Sequence, residues 1–163
     1  MKFGDVPASE ALGAVLAHSV KIDGKKFQKG LKLSNNELAE LIAAGVAEVT
    51  VAQISDEDLP EDEAAATLAK LMVAPGMSIS APFTGRANVF ADIAGLAQVD
   101  PAVILVANQV DEAITIATLP EFTRVRERQM LATVKIIPYA APRAAVAKVA
   151  EILSQSPAMT LHR

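Results

Sequence analysis

Apolar positions along this chain recur with two different periods, and the period changes near residue 75. In SNNELAELIAAG, Leu38, Leu41 and Ile42 return at helical spacing. Ser34 stands at the N-cap position with Glu37 three residues on, which is a capping box, and Gly45 is placed to take the left-handed conformation that ends a helix. EDEAAATLAKLM repeats the spacing with Ala64, Leu68, Leu71 and Met72. Pro60 suits its first turn, Glu61, Asp62 and Glu63 complement the positive end of its dipole, and Pro75-Gly76 stops it. Upstream, Pro7 and Ser9 start a short helical turn ending near Gly13. Ala14–Ile22 then reads as a strand turned back at Asp23-Gly24, and Lys29-Gly30 is a second turn before Leu31–Leu33. Val46–Ile54 is β-branched enough for a buried strand.

From about Met77 to Tyr139 the pattern shortens to strand-like runs punctuated by Pro82, Gly85, Gly95 and Pro120. MSISA, ANVFADI, LAQV, AITIATL and MLATVKIIPY read as strands. DPAVILVANQ is the exception: Asp100 as cap and Pro101 at the first position predict a short helix. Pro142–Gln155 reads as a closing helix with Val146, Val149, Ala150 and Leu153 on one face, and SQSPAMTLHR as a tail. The predicted fold class is α+β. It comprises an N-terminal αβ lobe (1–75), a small β-rich barrel- or sandwich-like lobe (76–141), a C-terminal helix (142–155) and a tail or linker (156–163).

Composition narrows the function classes. The chain has no cysteine, which removes disulfides, thiolate metal sites and cysteine nucleophiles. Net charge is -4, no dense basic patch is visible and aromatics make up 4%, so neither a nucleic-acid interface nor a base-stacking platform is expected. No apolar run reaches the roughly 18 residues that span a bilayer, so no membrane partner is expected and the cytoplasm is the expected location.

Few residues carry candidate chemistry. Asp56, Glu57, Asp58, Glu61, Asp62 and Glu63 would suit a hard cation, but acids at a helix start are favoured by the dipole alone, so no metal is expected. His18 lies in a strand pattern and His162 in the tail, with no nucleophile elbow to accompany either. Neither a Walker-type nor a dinucleotide Gly-rich loop occurs. A carrier-domain reading fails because Leu71–Val134 contains no lysine. PFTGRANVF remains. Arg86 offers a planar fork to phosphate or carboxylate, Thr84 and the amides near Gly85 could form an anion nest, and Asn88 adds an amide. The same residues also suit a tight turn with a solvated Arg.

The ordered motifs carry a resemblance. VPASEALGAVLAHSV followed by KGLKLSNNELAELIAAGVAEVTVA resembles the opening of the molybdopterin molybdotransferases. EDEAAATLA, TGRANVFADIAGL, AITIATLPEF and MLATVKIIPYAAP look like the N-terminal region of bacterial molybdopterin-binding proteins. Some of that group continue into a molybdopterin-binding domain or a nucleotidyltransferase domain like that of molybdenum cofactor cytidylyltransferase. The resemblance spans about Met1 to Leu153. It departs from the superfamily in lacking the Thr-Gly-Gly-rich motif, the Gly-Asp-Glu turn and the nucleotidyltransferase signature.

What the resemblance implies is an accessory module that scaffolds or presents molybdopterin or molybdenum cofactor rather than transforming it, partnered with such a downstream domain. It leaves open a fragment or a free-standing version. Matching positions are Thr84, Gly85, Arg86 and Asn88 in the loop, Asn108, Asp111, Thr115 and Thr118 in the hairpin region, and Lys135 in the last strand. No catalytic role attaches to them. The physical role expected for two of them is that Arg86 and Lys135 lie near each other and face a pterin phosphate or an acidic partner domain. Two alternatives stay open: a stand-alone transferase acting on molybdopterin or a nucleotide, and a pure dimerisation module forming a homodimer.

Overall fold

Local signals with near partners fold as written. The structure is a computed structural model that describes residues 1–22 and 24–163, and it divides into two compact units, Met1–Asp56 and Glu57–Arg163. Across both, the described residues form an α+β fold of four helices and fourteen strands in several small sheets.

In the first unit, β1 (Lys2–Pro7), β2 (Val15–Leu16) and β5 (Glu48–Gln53) make an antiparallel sheet in the order β1-β5-β2. β3 (Val20–Ile22) and β4 (Lys25–Phe27) pair beside it as a separate ribbon. The expected strand 14–22 is therefore two strands. The turn predicted at Asp23-Gly24 has its first residue outside the described residues. The expected helical turn is a 3-10 turn at Ala8–Glu10.

α1 (Asn35–Ala43) carries the predicted capping box in full. Ser34 Oγ accepts from the Asn36 amide, and the Ser34 amide donates to Glu37 Oε2 at 2.9 Å. Its end is a Schellman motif: Gly45 (φ 77°) donates to the Ile42 carbonyl and Val46 to that of Leu41. Leu38 and Leu41 join Leu16, Phe27, Leu33, Val49 and Val51 in the core of this unit. Ile42, expected on the same face, is half exposed.

The second unit runs β6 (Asp58–Pro60), α2 (Glu61–Leu71), β7 (Met77–Ile79), β8 (Arg86–Ala91), β9 (Gly95–Val99), α3 (Pro101–Asn108), β10 (Ile114–Thr118), β11 (Thr123–Val125), β12 (Met130–Ile136), β13 (Ala140–Pro142), α4 (Arg143–Gln155) and β14 (Met159–His162). α3 starts where its cap predicts, with Asp100 Oδ1 accepting from Ala102 at 2.9 Å and Val103 at 3.2 Å. Three antiparallel sheets result, β10-β12-β8-β7, β11-β9-β14 and β13-β6, and none of them closes into a barrel. The segment expected as a tail supplies β14, which pairs with β9 from Met159↔Val99 to His162↔Leu96.

The division between units falls at Asp56/Glu57, whereas the change of period suggested residue 75. The reason is packing. Ala64, Ala65, Leu68 and Ala69 of α2 share one buried cluster with Ala87 and Val89 of β8, Val134 and Ile136 of β12, and Val146, Val149 and Leu153 of α4. α2 thus belongs to the sheet that follows it. Leu71, counted in its apolar stripe, lies outside that cluster and is exposed.

Candidate functional site

Alternation decides which β8 side chains reach solvent. Ala87, Val89 and Ala91 are buried, so Arg86, Asn88 and Phe90 take the opposite face. Antiparallel pairing then sets Lys135 of β12 opposite Arg86 and Thr133 opposite Asn88. β10 extends the rows, with Thr115 opposite Lys135 and Ala117 opposite Thr133. On the other side, Ser80 Oγ accepts from the Asn88 amide at 3.1 Å. The result is an open, polar sheet face carrying Thr115, Lys135 and Arg86 in one row and Thr133, Asn88 and Ser80 in the next.

The face has two unusual electrostatic features. Lys135 and Arg86 are like charges directly opposite on neighbouring strands, an arrangement that ordinarily destabilises a sheet. Lys135 is steered away: its Nζ donates to the Thr84 carbonyl at 2.6 Å and lies 3.9 Å from Glu61 Oε2. The Arg86 side chain is exposed and forms no ion pair among the described residues. In the second row, the Asn88 Oδ1 and Thr133 Oγ1 atoms are both buried and have no hydrogen-bond partner among the described residues.

The loop before β8 is a two-residue hairpin turn. Phe83 and Arg86 exchange backbone hydrogen bonds at 2.9 and 3.1 Å, and the two central residues both have positive φ, Thr84 at 49° and Gly85 at 70°. That is the primed geometry whose twist matches antiparallel strands. The amide expected to meet an external anion already has an internal one: Gly85 N–H donates to Asp62 Oδ1 at 2.6 Å. Ile136 N–H donates to the Gly85 carbonyl at 2.8 Å. A Cβ on Gly85 would fall against Glu61 Oε2 and 2.8 Å from the Ile136 carbonyl oxygen. Acids of the first turn of α2 therefore hold the loop.

The remaining predicted residues separate from this face. Asn108, at the end of α3, donates from Nδ2 to the Ile116 carbonyl at 2.9 Å and accepts the Ile116 amide at 2.7 Å on Oδ1, closing the free edge of β10. Asp111 Oδ1 accepts from Ala113 at 2.9 Å within the turn that leads into β10. Thr118 is half-buried and shares the side of Ile114 and Ile116, opposite to Thr115. Of nine candidates, Arg86, Asn88, Thr115 and Lys135 come together on the open face. Thr84 and Gly85 hold the turn beside them, and Asn108, Asp111 and Thr118 lie apart.

Thr133 and Asp62 were not singled out as loop or face residues by the sequence. Thr133 could have been found by pairing MLATVKI against RANVFA, which aligns it with Asn88. Nothing local marks Asp62, whose partner lies 23 residues away.

His18 is exposed in the first unit. His162 closes β14, its Nε2 3.1 Å from Thr160 Oγ1 and 3.2 Å from Gln98 Oε1, at a cleft of about 500 Å3 that Asp100 and Glu121 also line. Among the described residues no three His, Asp or Glu side chains gather as a metal-binding group, and no helix is long and apolar enough to cross a membrane.

Residues 5–53, all within the first unit and under half of the chain, match the model of a family described as Domain of unknown function (DUF8806). No curated protein matches the chain.

Proposed function

We propose that the chain is an accessory module in molybdenum-cofactor biosynthesis or handling, acting in the cytoplasm beside a molybdopterin-binding or nucleotidyltransferase domain. It holds or presents the cofactor and leaves the chemistry to that partner. The open face of β10-β12-β8-β7 is the surface assigned to the cofactor. Arg86 faces its phosphate, Lys135 turns to it from its present contacts with Thr84 and Glu61, and the Thr133–Asn88–Ser80 row lies beside it.

The observation that carries this reading is Arg86, exposed, without an ion pair among the described residues, and set directly opposite Lys135. Two cations held in cross-strand register cost stability that a bound dianion would recover. The resemblance of TGRANVFADIAGL and MLATVKIIPYAAP to molybdopterin-binding proteins supplies the identity of that anion. The residues that meet on the face suit binding: cations, hydroxyls and an amide, with no acid–base pair among them.

The test is thermal denaturation with purified molybdopterin. A ligand that binds only the folded state raises stability by about 2.7 kcal/mol at a hundredfold excess over Kd. Molybdopterin should raise the midpoint, and Arg86→Ala should abolish that rise while raising the ligand-free midpoint slightly, because it removes one of two facing cations. A wild-type chain indifferent to molybdopterin would overturn the reading.

A further inference from the structure

Two arginines that form no ion pair among the described residues lie toward the opposite end of β8. Val125, the last residue of β11, is buried, and Arg124 and Arg126 flank it in sequence. Both are exposed, and neither forms an ion pair among the described residues. With Ala94 and Val125 they line a cleft of about 390 Å3 with no carboxylate in its wall among the described residues. Glu121 and Glu127, close in sequence, pair with neither arginine among the described residues.

The base of this cleft is fixed. Arg126 N–H donates to Gln129 Oε1 at 3.0 Å, and Gln129 N–H returns to the Arg126 carbonyl at 3.2 Å. The same turn is tied to the end of β8, where Arg128 N–H donates to the Ala91 carbonyl at 2.7 Å and Ala91 N–H to that of Gln129 at 2.9 Å. Two of the three non-glycine residues with positive φ bracket the segment, Phe122 at 57° and Arg128 at 65°. Hydrogen bonds thus tie down the segment that carries the two arginines, which lowers the ordering cost of binding. Strand residues two apart are separated by about 6.5–7 Å, so two long guanidinium arms can converge on one tetrahedral anion.

We propose that this cleft is a second anion site, which takes a phosphate group, free or as a monoester, forked between Arg124 and Arg126. It stands on residues separate from the Arg86 face and does not depend on what that face binds. The probes are inorganic phosphate and phenyl phosphate, titrated calorimetrically into the full chain at low ionic strength. Saturable binding is expected, weakened by added sodium chloride. Arg124→Ala and Arg126→Ala should each weaken it about tenfold or more, the scale of a lost charge-assisted hydrogen bond. Lys148→Ala, which removes an exposed cation of α4 outside both surfaces, should leave it unchanged. Tighter binding of phenyl phosphate assigns the cleft to esters, and binding of inorganic phosphate alone assigns it to the free ion. If either alanine variant melts early, Arg124→Gln and Arg126→Gln, which keep the aliphatic stem, decide instead. No saturable binding by the wild-type chain, binding indifferent to both arginine substitutions, or binding lost equally in Lys148→Ala would overturn the proposal.

Discussion

Gly85→Ala tests whether the turn before β8 is latched by the start of α2. Two costs are separable. At φ 70° an alanine Cβ pays about 1–2 kcal/mol for the left-handed conformation alone. The same Cβ would also fall 2.8 Å from the Ile136 carbonyl oxygen and against Glu61 Oε2. The Ile136 oxygen is backbone in a paired strand and cannot swing aside, so the turn must move. Moving it strains the Ile136 N–H bond to Gly85 and the Gly85 N–H bond to Asp62. A neutral backbone bond is worth about 1 kcal/mol net and one to a carboxylate about 1.5–3 kcal/mol. Partial loss of both adds about 2–3 kcal/mol, for a total of about 3–5 kcal/mol. For a unit of about a hundred residues, 1 kcal/mol moves the melting midpoint by about 5 °C, so the expected fall is about 15–25 °C. Gly76→Ala is the internal control. Gly76 has φ 83°, but its Cβ would meet side-chain atoms rather than backbone: Ile93 Cδ1 at 3.0 Å, Ile93 Cγ1 at 3.1 Å and Leu161 Cδ2 at 3.5 Å. It should show the conformational cost and little more, a fall of about 5–10 °C. Calorimetric melting of both variants reads the difference. Equal midpoints for the two would refute the latch.

Three further outcomes are expected. Thr84 is β-branched and sits at φ 49° in the first central position of the turn, so Thr84→Asn, the residue that geometry favours, should stabilise by about 1 kcal/mol in urea titration; a loss would show that the threonine side chain holds the turn. Asn108→Ala removes both bonds to Ile116 and leaves the edge of β10 open, which should cost about 1–3 kcal/mol by the same measurement, and a neutral result would mean that the edge is held by other groups. Hydrogen bonds from the Ser34 hydroxyl and then the Ser34 amide hold the Glu37 carboxyl below the usual carboxylate range. Its contribution is therefore fully present above the unfolded-state value and is lost as pH falls through the lower folded value. Glu37→Gln should flatten that part of the acid-unfolding profile of the first unit, and a profile superimposable on the wild type would count against the capping box.

What could be read from the sequence divides by the distance between partners. The capping box at Ser34 and Glu37, the Gly45 terminus and the Asp100 cap each close within five residues, so residue type and spacing were enough. Hydrophobic period was less selective. It placed Ile42 and Leu71 in apolar stripes whose other members are buried, because an amphipathic count does not say how wide a face its neighbours cover. The short strand β14 carries Met159 and Leu161 at alternate positions, but four residues after Pro157 resemble a tail until β9 is there to pair with them. Asn108 shows the same limit at a candidate site. Its amide suggested a ligand, yet an edge strand leaves backbone groups unpaired, and those of Ile116 take both ends of it.

The acidic run and the TGRAN loop raised separate questions in the sequence, and they have one answer. The dipole explains why acids gather at the start of α2, but not why Asp62 and Glu61 meet Gly85 there. Asp62 occupies the Gly85 amide, and Glu61 packs against Gly85 and approaches Lys135, so the acids and the glycine are two sides of one contact. Thr84 and Gly85 are accounted for by that contact and by the turn they make. Lys135 is partly accounted for by its bond to the Thr84 carbonyl. Arg86 is left over. Extended backbone at the first position of β8 would accept almost any residue, and the exposed guanidinium supports neither the turn nor the sheet. A cation placed opposite another cation, together with the unpartnered Asn88 Oδ1, is what the fold leaves unexplained in the loop, and it is there that the proposed anion would act.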